Sequence, residues 1–162
     1  MALALTPFRA LCGFLPLEQI DSYLQSTPEF AALIPEPIIT HFLSISHAPP
    51  SPSSKAALKS LFSALMTADP LTLQEQLRTL VSRYEHGGAQ TNEKDLVELV
   101  LQLDVQFPGD IGVFCSFVLN YVHLKPGEAI FLGAGEPHAY ISGGSSALTH
   151  RQFPSLTPRR YH

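Results

Sequence analysis

The chain has 162 residues, 45% hydrophobic and 15% charged, and its ten Lys and Arg against fourteen Asp and Glu give a formal net charge of −4. This composition is typical of a globular domain with a sizeable core, and an acidic balance without a dense basic stripe excludes a nucleic-acid partner. No apolar run suits a membrane helix, and two separated cysteines, Cys12 and Cys115, fit buried thiols in a reducing compartment, so we predict a soluble, cytoplasmic protein.

The first part of the chain predicts weak strands followed by short helices. Residues 1–5 and 8–14 are short extended candidates, the second broken at Gly13. Apolar residues at helical spacing then follow Pro16. Thr27 is a candidate N-cap for a second short helix. The spacing of the apolar residues predicts a third, which contains Ile38, Ile39, Phe42 and Leu43.

Three longer helices are predicted after the Pro- and Ser-rich loop at 48–54. Ser53 or Ser54 is the candidate N-cap of the first, and Asp69 of the second, which ends at Gly87. The third starts at Thr91 or Asn92 and runs to about residue 105. We interpret their apolar stripes as core faces: Ala57, Leu58, Leu61, Phe62, Leu65; Leu73, Leu77, Leu80, Val81, Tyr84; Leu96, Leu99, Val100, Leu103.

The last third predicts strands. Periodicity does not separate helix from strand at 111–119, where we favour a helix, with a strand starting at Leu119 or Asn120. Pro126-Gly127 is a strong turn signal and predicts a hairpin that pairs residues 122–125 with 128–132. A further strand is expected at or just after His138, because Pro137 lacks a backbone donor.

Together these elements predict an α+β fold. Strands at both ends of a helical stretch indicate one sheet interrupted by a helical insertion. We divide the chain into an N-terminal piece of the sheet core, a helical insertion, a second sheet segment with the hairpin, and a flexible tail. Their bounds are 1–15, 16–106, 107–142 and 143–162.

His138 is the candidate metal ligand, although a single histidine near a strand start is more often a packed or surface residue. His123 could approach it across the predicted hairpin, but a packing or solvent-facing role for His123 is the commoner one. No ligand spacing links the other histidines, and the cysteines form no CxxC or CxxH pattern. Those histidines are His41, His47, His86, His150 and His162. A Cys/His nucleophilic pair has no local support, and the glycines at 133 and 135 lack phosphate-loop spacing.

The segments 1–14, 107–114 and 124–132, followed by Pro-His-Ala-Tyr at 137–140, resemble the type I phosphomannose isomerase family. Two separated motifs in the right order, joined by a helical region of suitable length, carry a resemblance that spans residues 1–142. It implies an antiparallel cupin-type β-barrel, present here in part, interrupted by an all-helical insertion. It also implies zinc-dependent interconversion of mannose 6-phosphate and fructose 6-phosphate, which feeds GDP-mannose synthesis.

The resemblance implies a zinc ion held by a Gln, a Glu and two His, of which only His138 has a counterpart here. Tyr140 is implied to line the pocket for the sugar phosphate substrate. The family's ligand Glu directly precedes the position of Met1, and the tail departs from the family's arginine-bearing loop, so no catalytic role is transferred to Arg151. The catalytic residues stay unassigned.

With three ligands absent, we expect weak zinc binding and little catalysis from residues 1–162 alone. One hypothesis is that the sequence is a piece, or an incomplete gene product, of an active isomerase. The alternative is a non-catalytic short relative that binds a protein partner or has no role. Missing barrel strands would leave sheet edges unpaired, which favours aggregation or partner binding there.

Overall fold

The computed structural model describes residues 2–3, 7–130 and 137–142, which divide between two compact units. The helical unit is Pro16–Phe117. The sheet unit consists of the described residues before Pro16 and after Phe117. Helices and antiparallel strands together confirm the predicted α+β class.

The helical unit, described throughout, contains eight helical segments in nearly the predicted places. They are α1 (Leu17–Ser26), α2 (Pro28–Ala31), α3 (Glu36–Ile45), α4 (Pro52–Met66), α5 (Pro70–Glu85), a 3₁₀ helix (Thr91–Leu96), α6 (Val97–Gln106) and a second 3₁₀ helix (Ile111–Phe117). The third long helix therefore opens with 3₁₀ turns. Among the described residues, no helix is both long enough and apolar enough to cross a membrane.

The predicted helix caps are partly confirmed. The side chain of Asp69 accepts a hydrogen bond from the amide of Thr72 at 2.9 Å and caps α5 as predicted. The prediction for the N-cap of α4 was wrong by two or three residues. Ser51 is its N-cap, because Pro52 fits the first helical position. The hydroxyl of Ser54 accepts a hydrogen bond from the amide of Ser51 at 2.8 Å.

Thr27 precedes α2 as predicted, but its side chain does not cap that helix. Its hydroxyl instead donates a hydrogen bond to the buried carboxylate of Glu93. The Thr27 hydroxyl thus donates to a carboxylate distant in sequence instead of accepting a hydrogen bond from an amide of α2. Spacing along the chain could not have indicated this partner.

The core of the helical unit combines most of the predicted stripe residues with aromatic residues from its shorter segments. The rings of Phe117 and Phe30 stack with centroids 5.4 Å apart, and Tyr23 packs edge-on against Phe117 at 5.4 Å. Three predicted stripe positions, Leu58, Phe62 and Val81, are only half-buried. The remaining stripe residues are buried: Ala57, Leu61, Leu65, Leu73, Leu77, Leu80, Tyr84, Leu96, Leu99, Val100 and Leu103.

The sheet unit contains five described strands in two sheets. They are β1 (Ala2–Leu3), β2 (Phe8–Phe14), β3 (Leu119–Leu124), β4 (Ala129–Ile130) and β5 (His138–Ser142). β1 pairs with β4, while β2 lies between β3 and β5, and every pairing is antiparallel. The weak extended candidate at 8–14 is therefore the central strand of the larger sheet.

The predicted hairpin is wrong in its pairing, although its turn forms. The amide of Glu128 donates to the carbonyl of Lys125 at 3.0 Å, and Gly127 has φ +90°. Pro at the second position and a positive-φ Gly at the third define a type II turn, which splays strands instead of matching the twist of a two-residue hairpin. Accordingly β3 pairs with β2 and β4 pairs with β1. Residues 131 and 132 of the predicted hairpin lie outside the described part.

Candidate functional site

The three-stranded sheet places the two predicted site residues beside β2. His138 pairs with Cys12, and Tyr140 pairs with Ala10. Because residues two apart on a strand share a face, positions 138 and 140 lie on the face that positions 10 and 12 occupy on β2. The two predicted site positions, two residues apart, are thus paired with one short stretch of β2.

The central strand gives these positions a buried support. Ala10 and Cys12 are 1% and 6% exposed, and Leu11 between them is 1% exposed. A strand buried at consecutive residues is covered on both faces, unlike an alternating edge strand. The residues opposite positions 138 and 140, Cys12 and Ala10, are therefore small and buried.

His123 does not face His138 across a hairpin. It pairs with Arg9 on the other side of β2, so the two histidines lie on strands separated by one intervening strand. Their partners Arg9 and Cys12 are three residues apart on β2, so positions 123 and 138 lie at different levels and on opposite faces of the sheet, which does not suit two ligands of one zinc ion. His123 instead packs edge-on against Tyr121 with ring centroids 4.3 Å apart, and Arg9 donates to the Tyr121 hydroxyl at 3.1 Å.

The remaining described histidines are placed in the helical unit. His47 approaches Asp21 at 3.2 Å and Glu18 at 3.8 Å, and a ring nitrogen of His86 lies 2.7 Å from the carbonyl of Ser82. His41 is exposed. Within residues 7–130 and the other described positions, no group of three or more His, Cys, Asp or Glu could hold a metal ion. His150, Arg151 and His162 lie outside the described residues.

Both cysteines are buried, as predicted, and they lie in different units. Cys12 belongs to β2, and Cys115 lies in the second 3₁₀ helix with its sulfur 3.8 Å from the sulfur of Met66. Cys115 is a core residue of the helical unit.

An ion network in the helical unit was not predicted. Arg83 of α5 contacts Glu29 through two bonds of 2.9 and 3.0 Å and Glu93 through two of 2.8 Å. Both carboxylates are buried, at 3% and 0% exposure. The amide of Gln90 also donates to Glu93 at 2.6 Å. The Gln-x-x-Glu spacing at 90–93 is a capping-box signal that could have located one member.

Opposing effects set the protonation of this network. Burial by itself would raise the pKa of Glu93, but the hydrogen bonds from Arg83, Thr27 and the Gln90 amide outweigh it and hold that pKa below its usual value. Hydrogen bonds to Glu93 and Glu29 raise the pKa of Arg83. Burial, and then the charge of Glu93, raise the pKa of the Tyr84 phenol. These hydrogen bonds favour the charged forms of Arg83 and Glu93, which suits a structural role for the network.

Comparison with known proteins gives one consistent result. Residues 33–119 match the helical insertion domain of type I phosphomannose isomerase. The chain is 47% identical over 146 residues to mannose-6-phosphate isomerase of Homo sapiens and 45% identical over 143 residues to the probable mannose-6-phosphate isomerase of Dictyostelium discoideum. A zinc-bound crystal structure of mannose 6-phosphate isomerase superposes with a TM-score of 0.66 at 28% identity.

The coverage of these matches is unequal. The two sequence matches cover 88% of this chain, but 34% of the human protein and 29% of the Dictyostelium protein. The structural match covers 89% of this chain and 32% of the zinc-bound structure. The chain thus spans about a third of the length of the relatives it matches. Since a domain characteristic of the family occupies more than half of the chain, the protein belongs to the type I phosphomannose isomerase family.

Proposed function

We propose that this chain forms part of a zinc-dependent mannose-6-phosphate isomerase, in which His138 is one zinc ligand and Tyr140 contacts the sugar phosphate. The observation that carries the proposal is the register of β5, which sets both residues beside the buried centre of β2 in a chain of this family. The helical unit would then be the scaffold, and the sheet unit part of a cupin-type barrel. The corresponding domains are 1–15, 16–106 and 107–142, followed by the tail 143–162.

The chemistry sets what the remaining site must supply. Aldose–ketose isomerisation moves a proton between C1 and C2, so it needs a base and a group that stabilises the charge of the enediolate. A bound zinc ion supplies the second by polarising the sugar oxygens. A zinc-bound structure among the relatives supports zinc as the metal.

The residues present meet this requirement only in part. A catalytic zinc ion usually has three protein ligands, and the described residues bring no such set together. His138 accounts for one bond, and we assign no proton transfer to any residue of this chain. The proposal is therefore that the sheet unit contributes a ligand and a substrate contact to a site completed by other groups.

A segment exchange tests the proposal. Residues 1–142 would replace the matching segment of the human relative, and turnover of mannose 6-phosphate to fructose 6-phosphate would be measured with bound zinc. We expect an active, zinc-loaded protein, and His138→Gln should lower kcat/KM by more than about 100-fold. The matched control, His123→Gln, removes a histidine from the opposite edge of the same sheet and should change kcat/KM less than about twofold.

Other outcomes decide between the hypotheses. A folded, inactive exchange protein that has lost zinc would favour a non-catalytic relative, with partner binding as its remaining role. An active protein insensitive to His138→Gln would refute the ligand assignment.

Tyr140→Phe is expected to raise KM while zinc content stays unchanged. GDP-mannose supply and a cytoplasmic location follow from this activity as proposals.

A further inference from the structure

The central strand β2 contains one residue more than its neighbour β3 at the end nearest His138. Cys12 pairs with Asn120 and Phe14 with Leu119, so Gly13 is an inserted residue. Its φ of +67° lies in the left-handed region that favours glycine. This is a β-bulge, a feature that bends a strand and changes the direction of neighbouring residues.

The side chain of Asn120 is bonded to the backbone of this bulge. Its Nδ2 donates to the carbonyl of Phe14 at 3.0 Å, across 106 positions of sequence. A bulge displaces backbone groups from the regular ladder, and a side-chain amide on the opposing strand can supply the missing donor. Asn120 therefore ties β3 to the displaced part of β2.

The same bulge residue anchors the start of β5. The amide of Gly13 donates to the carbonyl of Pro137 at 2.8 Å, directly before His138. Pro137 has no amide hydrogen, so it cannot return a second bond to Gly13. The register of β5 then stays regular from His138 to Tyr140 and shifts at the next pair, between Ala10 and Arg9 of β2. The two proposed site residues occupy a short window of regular ladder between two irregularities.

We propose that Asn120 is a positioning residue: by holding the Gly13 bulge, its amide fixes the place on β2 at which the His138 strand begins. The proposal rests on the proposed function, in which position 138 carries a metal ligand. Asn120 contacts neither the metal nor the sugar in this account. It acts through the chain of bonds from Asn120 to Phe14, along the bulge to Gly13, and from Gly13 to Pro137.

Amide hydrogen exchange in the full chain tests the proposal without requiring zinc. Asn120→Asp keeps the shape of the side chain but replaces the donor by an acceptor at neutral pH. We expect the Gly13 amide to exchange about tenfold faster in this variant, because its bond to Pro137 opens more often. The amide of Phe107 in the helical unit, bonded to Leu103 at 2.8 Å, should exchange at an unchanged rate.

A pH profile separates the donor role from simple loss of packing. A protonated carboxyl can donate to the Phe14 carbonyl, so the ratio of variant to wild-type exchange at Gly13 should fall toward one as the pH is lowered from 7 through the usual range of an aspartic acid, about pH 4. A packing role predicts a ratio that does not change. The intrinsic exchange rate at each pH cancels in the ratio, but the charges of the titratable groups on these strands act on the new carboxyl: Arg9, Cys12, Tyr121, His123, His138 and Tyr140. Asn120→Leu, which lacks both the donor and the carboxyl, is therefore measured alongside and should keep its faster exchange at the lower pH.

Asn92→Asp is the matched control, because Asn92 also donates from its side-chain amide, to Ser22 at 2.8 Å and Ser26 at 3.0 Å in the helical unit. It should leave Gly13 exchange unchanged. Unchanged exchange at Gly13 in Asn120→Asp, or equal acceleration at Phe107, would overturn the proposal. Failure of zinc binding or turnover would refute the proposed function while the exchange result still decides the role of Asn120.

Discussion

The helical unit and the sheet unit of this protein are stabilised in different ways. The helical unit contains fully buried aromatic residues and a charged network centred on Arg83, whose partners Glu93 and Glu29 lie ten and 54 positions away. The sheet unit depends on pairing between distant segments, such as Asn120 with the backbone of Phe14 across 106 positions. Both proposed site residues, His138 and Tyr140, lie in the sheet unit.

This difference assigns stability to the helical unit and the proposed site to the sheet unit. In the helical unit, the buried carboxylates of Glu29 and Glu93 accept hydrogen bonds from Arg83, which indicates a structural role and not ligand binding. In the sheet unit, the ladder holds candidate reactive residues at defined register positions. Substitutions in the helical unit should therefore affect stability, while those beside β2 should affect the site.

The largest expected effect is on the charged network. Arg83→Met leaves two buried carboxylates without their cation and should lower the free energy of unfolding of the helical unit by about 3–5 kcal/mol. Chemical denaturation followed by helical circular dichroism measures it. Adding Glu29→Gln and Glu93→Gln should restore part of the loss, and the exposed Arg78→Met should cost less than about 0.5 kcal/mol. An unchanged free energy of unfolding in Arg83→Met would contradict the stabilising role of the network.

A smaller effect is expected at the bulge. Gly13→Ala forces a Cβ into the left-handed region at φ +67° and should destabilise the sheet unit by about 1–2 kcal/mol. Gly13→Asn is the control, since Asn tolerates this conformation better and should cost less. Site-resolved hydrogen exchange of β2 and β3 measures both. Equal stability of the Ala variant and wild type would show that the bulge relaxes freely.

The N-cap of α4 offers a still smaller, local test. Ser51→Ala removes the acceptor for the Ser54 amide and should lower the stability of the helical unit by about 1 kcal/mol. Ser53→Ala changes an exposed serine within the same helix and should have almost no effect. Thermal denaturation of the two variants compares them. The same loss in both would identify Ser53 as a second contributor.

The last effect is a change of stability with pH, which is expected only in acid. Glu93 has a folded-state pKa below its unfolded value, so it favours folding above about pH 4.5 and this contribution is lost as the pH falls through the lower folded pKa. Glu93→Gln should flatten the dependence of the unfolding free energy on pH in that range. An unchanged pH profile in the variant would show that Glu93 does not titrate with unfolding.

Much of the helical unit was predictable because its signals are local. Apolar spacing located α4, α5 and α6, and Asp69 before Pro70 marked the start of α5. Errors occurred where a distant partner competes with a local one. Thr27 was predicted to cap α2, but its hydroxyl reaches Glu93, which no spacing rule connects to it.

The sheet unit was less predictable for the same reason. The strand at His138 and the turn at Gly127 follow from proline and glycine, whose effects are confined to their neighbours. The choice of strand partners is not local. Proximity in sequence favoured pairing across the turn, whereas residues 8–14, predicted to be weakly extended, form the central strand to which both β3 and β5 pair.

The most direct test of the central claim is to locate zinc on the intact chain by NMR. The chain would be labelled with ¹⁵N in its histidine rings and titrated with zinc, and each ring signal would be assigned by His→Gln substitution. His138 and His123 represent the sheet unit, and the comparison set from the helical unit is His41, His47 and His86.

If the sheet unit carries the metal ligand, the ring signals of His138 will shift at the lowest zinc concentration, and those of the helical unit and His123 will shift only at higher concentrations. If a histidine of the helical unit responds first, or if His138 does not respond while others do, the assignment of the metal ligand to the sheet unit is wrong.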